Sequence, residues 1–74
     1  MPNQLYADTI RLLRDCEVAS RLALSPATIR GQRFDRRHGL PHWFTIDPVM
    51  IGSAPRYRLA DVEAWVDAQP KKGR

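Results

Sequence analysis

The chain contains a single cysteine, Cys16, among its 74 residues. No disulfide can therefore form within it, although small secreted domains usually depend on disulfides for stability. Residues 1–20 also lack the uninterrupted apolar segment of a secretory signal. We expect a cytoplasmic protein that folds around one small hydrophobic core.

Long hydrophobic runs are missing too. A membrane-spanning helix needs about 18 or more consecutive apolar residues, and no such run occurs in this chain. The basic residues also do not lie along one long amphipathic face. We therefore expect no membrane partner.

Catalytic and metal-binding patterns are scarce. The chain has four glycines without a glycine-rich phosphate loop, and neither histidine belongs to a catalytic motif. His38 and His42 have the spacing of a helical metal pair, but the intervening Gly39 and Pro41 interrupt the helix that would align them. A chain of 74 residues also leaves little room for an enclosed substrate site. We predict no enzymatic activity, no cofactor and no metal.

Acidic residues are outnumbered by basic ones. Twelve lysines and arginines against eight acids give a net charge of +4 and a pI near 10.0, and ten of the twelve are arginine. Residues 21–37 contain five arginines and one acid, whereas residues 61–67 contain three acids and no base. Because arginine binds phosphate and guanine edges well, this distribution indicates one basic face and a polyanionic partner.

The first half of the chain has the pattern of two helices joined by a short turn. The first helix is predicted over about 15–23, with Asp15 as its cap. Its apolar stripe comprises Val18, Ala19 and Leu22. The second is predicted over about 26–37, because Ser25 is a typical N-cap and Pro26 favours the first helical position. Together they predict a helix-turn-helix.

The second half is predicted to form a hairpin and a third helix. Two β-prone runs, 49–51 and 56–59, flank the turn-forming segment 52–55 and so predict a two-stranded wing. A helix should begin near Ala60 and end before Pro70. Its apolar stripe comprises Val62, Trp65 and Val66. The chain is thus divided into an N-terminal arm (1–11) that is either disordered or a short helix, a central domain (12–69) and a basic tail (70–74).

Four segments, taken in order, resemble one known family. They are EVASRLALSPATIR (17–30), Leu40-Pro41, Ile51-Gly52 and RYRLADVEAW (56–65). The set resembles the MerR-like winged helix-turn-helix group that contains phage and integrative-element excisionases and AlpA-type regulators, and it covers about residues 12–68. The resemblance implies a small α+β fold, mostly α, with a two-stranded wing and a C-terminal helix. It also implies a DNA-binding protein of the bacterial cytosol or nucleoid, without catalytic activity.

The chain departs from that group at several positions. Arg14 replaces the usual serine or threonine cap, Ala23 replaces the usual turn glycine, and Gln32 replaces a core aliphatic residue. Gln32 is therefore expected to face DNA or a partner. The segment 42–50 is longer than the usual link. Its hydrophobic residues, which either cover the core or contact another protein, include Trp43, Phe44 and Ile46.

Candidate DNA contacts lie in the second helix and in the wing. In the helix they are Ser25, Ala27, Thr28, Arg30, Gly31, Arg33, Arg36 and Arg37, and in the wing they are Ser53, Arg56 and Arg58. Helical spacing predicts that Arg30, Arg33 and Arg37 share one stripe, while Ile29 points inward. Arg36 and Arg37 are expected to bind phosphate rather than bases. The alternative is a basic helix that is merely solvated.

Several side chains also have ordinary structural explanations. Ser53 suits a turn as well as a phosphate contact. Arg58 either contacts DNA or pairs with Asp61. Trp65 is expected in the core, and Cys16 is expected to be a buried thiol.

Three functions are compatible with these observations. The first, implied by the resemblance, is an excisionase that binds repeated sites on double-stranded DNA as head-to-tail copies, bends the duplex and directs a site-specific integrase toward excision. The second is an AlpA-type transcriptional regulator of a mobile element. The third is a protein-interaction module whose basic face binds an acidic partner and whose segment 43–46 forms the interface.

Overall fold

The computed structural model describes residues 11–72. In chain order the elements are β1 (Leu12–Leu13), α1 (Asp15–Leu22), α2 (Pro26–Arg37), β2 (Val49–Ile51), β3 (Ala54–Arg58) and α3 (Leu59–Asp67). Three helices thus accompany a three-stranded antiparallel sheet of order β1-β3-β2. The fold is a mostly helical α+β arrangement, as the sequence predicts. The predicted arm, except for Arg11, lies outside the described residues.

The bounds of α2 match the prediction, and those of α1 nearly do. Ser25 caps α2 through its Oγ, which accepts a hydrogen bond from the Thr28 N–H at 3.2 Å. The prediction that Asp15 caps α1 is wrong, because Arg14 occupies the cap position. There the Arg14 N–H donates to Oε1 of Glu17 at 2.8 Å, which holds the pKa of Glu17 below its usual value.

The two helices of this pair end in the same way. Beyond each lies a residue in the left-handed conformation, Ala23 at φ 58° after α1 and Gly39 at φ 72° after α2. The closing backbone bonds run from Leu24 N to Ala19 O (2.8 Å), Ala23 N to Ser20 O (3.3 Å), Leu40 N to Asp35 O (2.9 Å) and Gly39 N to Arg36 O (3.3 Å). This pairing is the Schellman motif, which normally places glycine at the left-handed position. Only the second helix satisfies that preference.

The sheet differs from the predicted two-stranded wing. Leu12 and Leu13 form an unpredicted strand whose residues pair with Arg58 and Tyr57, so that β3 becomes the central strand. A strand of two residues is too short to show the alternating pattern by which strands are detected. The segment 52–55 was predicted to form the turn, but Ala54 and Pro55 belong to β3. The turn itself is Gly52-Ser53, with Gly52 at φ 62°, as is typical of a tight hairpin.

The core lies between the helices and the sheet. Its buried residues are Leu13, Val18, Ala19, Ile29, Phe44, Ile46, Tyr57 and Val62. The ring of Phe44 meets those of Tyr57 and Trp65 edge-on, with centroids 5.4 and 5.2 Å apart. The loop after α2 therefore covers the core through Phe44 and Ile46, which was one of the two predicted roles.

Three smaller expectations have different outcomes. α3 begins at Leu59, one residue before the predicted start, and Leu59 N–H donates to the carbonyl oxygen of Arg11 at 2.9 Å. The prediction of a buried Cys16 is wrong, because this residue is exposed. No helix within residues 11–72 has the length and apolar character needed to cross a membrane.

Candidate nucleic-acid interface

The orientation of α2 is set by Ile29, which is fully buried. Residues three, four and seven positions further along lie on the same side of a helix, and Gln32, Arg33 and Arg36 are accordingly part-buried. The opposite side of the helix is exposed. We call its residues the outer stripe, and they are Ala27, Arg30, Gly31, Phe34 and Arg37, followed by the cap residue His38.

The outer stripe differs from the predicted one at Arg33. The prediction grouped Arg33 with Arg30 and Arg37, but a residue four positions after the buried Ile29 must turn toward the protein. Ser25 and Thr28, two other predicted contacts, bond to each other through their hydroxyls at 2.8 Å. Of the predicted contacts in α2, the outer stripe keeps Ala27, Arg30, Gly31 and Arg37.

Arg33 joins three elements through its guanidinium group. Its Nη1 and Nη2 donate to the two carboxylate oxygens of Asp15 at 2.6 and 2.9 Å, and Nη1 also donates to the Tyr57 hydroxyl at 3.4 Å. The Arg33 and Asp15 side chains are only 22% and 16% exposed. The bond to Asp15 raises the pKa of Arg33, while burial raises the pKa of Tyr57. The pair fixes the start of α1 and the strand β3 against α2, and a DNA contact by Arg33 would require it to open.

Arg36 is anchored to the loop after α2. Its Nε donates to Oδ1 of Asp47 at 2.7 Å, which raises the pKa of Arg36 and lowers that of Asp47. Its Nη1 lies 3.0 Å from Nε2 of His42, whose Nδ1 lies 2.9 Å from the Leu40 carbonyl oxygen. A neutral imidazole satisfies both contacts by donating from Nδ1 and accepting at Nε2. Arg36 thus holds the loop in place, and its Nη2 forms none of the hydrogen bonds found within residues 11–72.

Gln32 has a structural role that the sequence did not indicate. Its Oε1 accepts hydrogen bonds from the backbone N–H groups of Trp43 (2.7 Å) and Phe44 (3.1 Å). The prediction that Gln32 faces DNA or a partner is therefore wrong. A polar residue stands at this core-facing position because the long loop presents two backbone donors to it.

A groove of about 760 Å³ separates α2 from the hairpin. Its lining residues are Arg33, Arg36, Arg37, His42, Ile46, Asp47, Pro48, Met50, Ser53 and Pro55. The structure thus brings the end of α2 and the hairpin turn, two predicted contact regions, to the sides of one concave surface. Among its arginines, Arg33 and Arg36 are paired with Asp15 and Asp47. Arg37 forms no salt bridge within residues 11–72, so it gives the groove a positive charge that favours anions.

The hairpin arginines alternate with a buried tyrosine. Tyr57 is fully buried, whereas Arg56 is part-buried and Arg58 is exposed. Since successive strand residues point to opposite faces, both arginines lie on the face away from the core, as predicted. Arg56 Nη1 donates to the carbonyl oxygen of Pro55 at 2.8 Å. The alternative pair between Arg58 and Asp61 is not among the salt bridges of the described residues.

Phe34 is a surface feature that the sequence reasoning missed. It is 56% exposed, at the centre of the outer stripe, and its ring stacks on that of His38 with centroids 4.1 Å apart. The signal was its position four residues after Arg30 and seven after Ala27. Neither Phe34 nor His38 was named as a candidate contact.

Comparisons with family models, with curated proteins and with solved structures find no match for this chain. Within residues 11–72 no group of three or more histidine, cysteine, aspartate or glutamate side chains is arranged to hold a metal ion.

Proposed function

We propose that the protein is a winged helix-turn-helix that binds specific sequences in double-stranded DNA. The outer stripe of α2 carries this proposal. It is exposed, it contains Arg30 and Arg37, and it includes no acidic residue. A helix about 10–12 Å across fits a major groove about 12 Å wide, so this face can lie against base edges.

Two acids of neighbouring segments that face α2 are already paired, whereas Asp35 of α2 itself belongs to no salt bridge within residues 11–72. Asp15 is bound by Arg33, and Asp47 is bound by Arg36. Arg30 and Arg37 form no salt bridge with any acid in residues 11–72. Arg33 and Arg36 thus satisfy the carboxylates of Asp15 and Asp47, while Arg30 and Arg37 remain for phosphates and guanine edges.

The hairpin is proposed to hold the DNA backbone beside α2. Ser53 lies at its turn on one wall of the groove, and Arg58 is exposed on the face away from the core. In this arrangement a phosphate strand leaving the major groove next to α2 meets the turn at Ser53, and Arg58 adds positive charge on the outer face of β3. Each phosphate neutralised there releases counterions, so the affinity should fall steeply as salt rises.

The proposed biological role is that of an excisionase. A single module of this size buries only about 600–1,000 Å² of protein surface on DNA, so useful specificity requires several copies or a partner. Head-to-tail copies on repeated sites would bend the duplex and present it to a site-specific integrase. An AlpA-type transcriptional regulator would use the same DNA contacts, and the two roles differ in whether the bound site lies in an attachment region or a promoter.

The test begins with selection of a binding site from random duplexes, followed by titrations at two salt concentrations. We expect Arg30→Ala to bind the selected duplex at least about tenfold more weakly, since one good base contact is worth about 1–3 kcal/mol. Lys71→Ala removes the same charge from the exposed tail and should change the affinity by less than about threefold. Equal losses in both variants, or failure to select any duplex, would contradict sequence-specific binding through α2.

A second function, protein binding through the segment 43–46, is favoured by one observation. Trp43 is 47% exposed, and its ring lies 6.2 Å from that of Trp65, near the surface of α3. Phe44 and Ile46 are buried, so the exposed side chains of this segment are those of Trp43 and Thr45, of which only Trp43 is large and apolar. Under this function Trp43→Ala, rather than Arg30→Ala, would abolish partner binding.

A further inference from the structure

Phe34 is one of several large apolar side chains exposed within residues 11–72, and it is the one that lies on the outer stripe of α2. Its ring is 56% exposed and stacks on His38 at an interplanar angle of 27°. His38 is itself held in place, since its Nδ1 donates to the carbonyl oxygen of Phe34 at 2.9 Å. The ring is therefore a supported, outward-facing apolar surface.

Apart from Arg30, the outer stripe carries only small residues on the N-terminal side of Phe34, so the ring projects beyond the surface around it. Gly31, three residues earlier on the outer stripe, has no side chain, and a Cβ built there would meet nothing within 4 Å. No internal contact thus accounts for glycine at this position, although it costs about 1 kcal/mol in a helix relative to alanine. Ala27 continues the small surface one turn further back. A flat surface could approach the helix backbone here and would meet the ring of Phe34 next.

The charges on either side of Phe34 indicate which kind of partner would approach the helix here. Arg30 precedes Phe34 by four residues and Arg37 follows it by three, so both lie on the same side of α2. An apolar ring between two arginines is complementary to a DNA groove, in which the arginines would bind phosphates and the ring would contact an apolar group. In the major groove that group is the 5-methyl of thymine, for which phenylalanine is a known contact.

We propose that Phe34 contacts the 5-methyl group of a thymine in the bound site and so makes the protein selective for thymine at that position. The inference rests on the proposed function, because it requires α2 to lie in the major groove. It adds that one base is recognised by its methyl group rather than by a hydrogen bond.

The test replaces each thymine of the selected duplex, one at a time, by deoxyuridine, which lacks only the methyl group. For the native protein we expect at least one position where affinity falls by about fourfold, the factor that corresponds to one buried methyl-sized group at about 0.8 kcal/mol. For Phe34→Ala we expect thymine and deoxyuridine to bind equally at that position. Phe34→Leu keeps an apolar side chain and should keep part of the discrimination.

The outcomes separate the two proposals. The thymine contact would be overturned if deoxyuridine did not change the affinity of the native protein, or if it lowered the affinity of Phe34→Ala by the same factor. Either result would leave DNA binding itself intact. A Phe34→Ala variant that keeps the deoxyuridine effect and instead changes the number of bound copies would show that Phe34 contacts a second protein molecule, and would also overturn it. Failure of the native protein to bind any duplex would remove the proposed function and this inference together.

Discussion

Arg30 and Arg33 are one helical turn apart in α2, yet their surroundings are opposite. Arg30 is exposed on the outer stripe, whereas Arg33 lies against Asp15 and Tyr57. The cause is the buried Ile29, which precedes them by one and four residues. A residue four positions after a core residue faces inward, so identical side chains here have different roles.

The different surroundings predict different effects of substitution. Arg33→Ala should lower the free energy of unfolding by about 2 kcal/mol, because it leaves the carboxylate of Asp15 largely buried without its partner. Arg30→Ala should change it by less than about 0.5 kcal/mol, as for an ordinary surface site. Urea denaturation of both variants measures this difference.

A matched DNA titration completes that comparison. At temperatures where both variants are folded, Arg30→Ala should lose more affinity than Arg33→Ala. If the two variants unfolded with the same free energy, or if Arg33→Ala lost DNA affinity more strongly while folded, the structural role assigned to Arg33 would be wrong.

The sequence predicted much of the outer stripe but not its exact membership. Ala27, Arg30, Gly31 and Arg37 were named and are exposed on one side of α2. Arg33 was misplaced because it lies three residues after Arg30 but also four after Ile29, and the burial of Ile29 decides its direction. Phe34 was missed because an aromatic residue in a helix is usually part of a core.

At the scale of elements, local signals explain what could be predicted. The bounds of α2 follow from Ser25 and Pro26 at one end and Gly39 at the other, and these act within a few residues. The strand β1 could not be predicted, since two leucines form a strand only because distant β3 lies beside them. The turn was predicted too long for a similar reason, since pairing with β2 draws Ala54 and Pro55 into β3.

α1 and α2 both end in a Schellman motif, so opposite substitutions at the two left-handed residues should have opposite effects on stability. Ala23 has φ 58°, a left-handed conformation that costs an L residue about 1–2 kcal/mol. Ala23→Gly should therefore stabilise the protein, by about 0.5 kcal/mol after the larger entropy of unfolded glycine is subtracted. Gly39→Ala, at φ 72°, should destabilise it by about 1 kcal/mol.

Thermal unfolding of the two variants measures this pair of effects. A Cβ at Gly39 meets nothing within 4 Å, so the expected loss there reflects the backbone conformation alone. Shifts of the same sign in both variants would show that one of the two helix ends does not adopt the described conformation.

At the scale of the whole molecule, charge is separated between surfaces. The outer stripe and the groove carry most of the arginines near α2, while α3 carries Asp61, Glu63 and Asp67 without a base. The long loop after α2 is fixed between these surfaces. Gln32 and Arg36 of α2 bind it through hydrogen bonds, and its Phe44 is buried in the core. The molecule thus has one surface rich in arginine and a different one that carries acids.

The central claim is that the outer stripe of α2 and the hairpin contact DNA together. The most direct measurement is titration of ¹⁵N-labelled protein with the selected duplex while backbone amide chemical shifts are followed. We predict the largest changes at the amides of Ala27, Arg30, Gly31, Phe34 and Arg37 and at the hairpin turn around Ser53, with little change in α3. Changes concentrated at Trp43, Trp65 and Val66 instead would contradict the account, because they would place the binding surface at the loop after α2 and at α3.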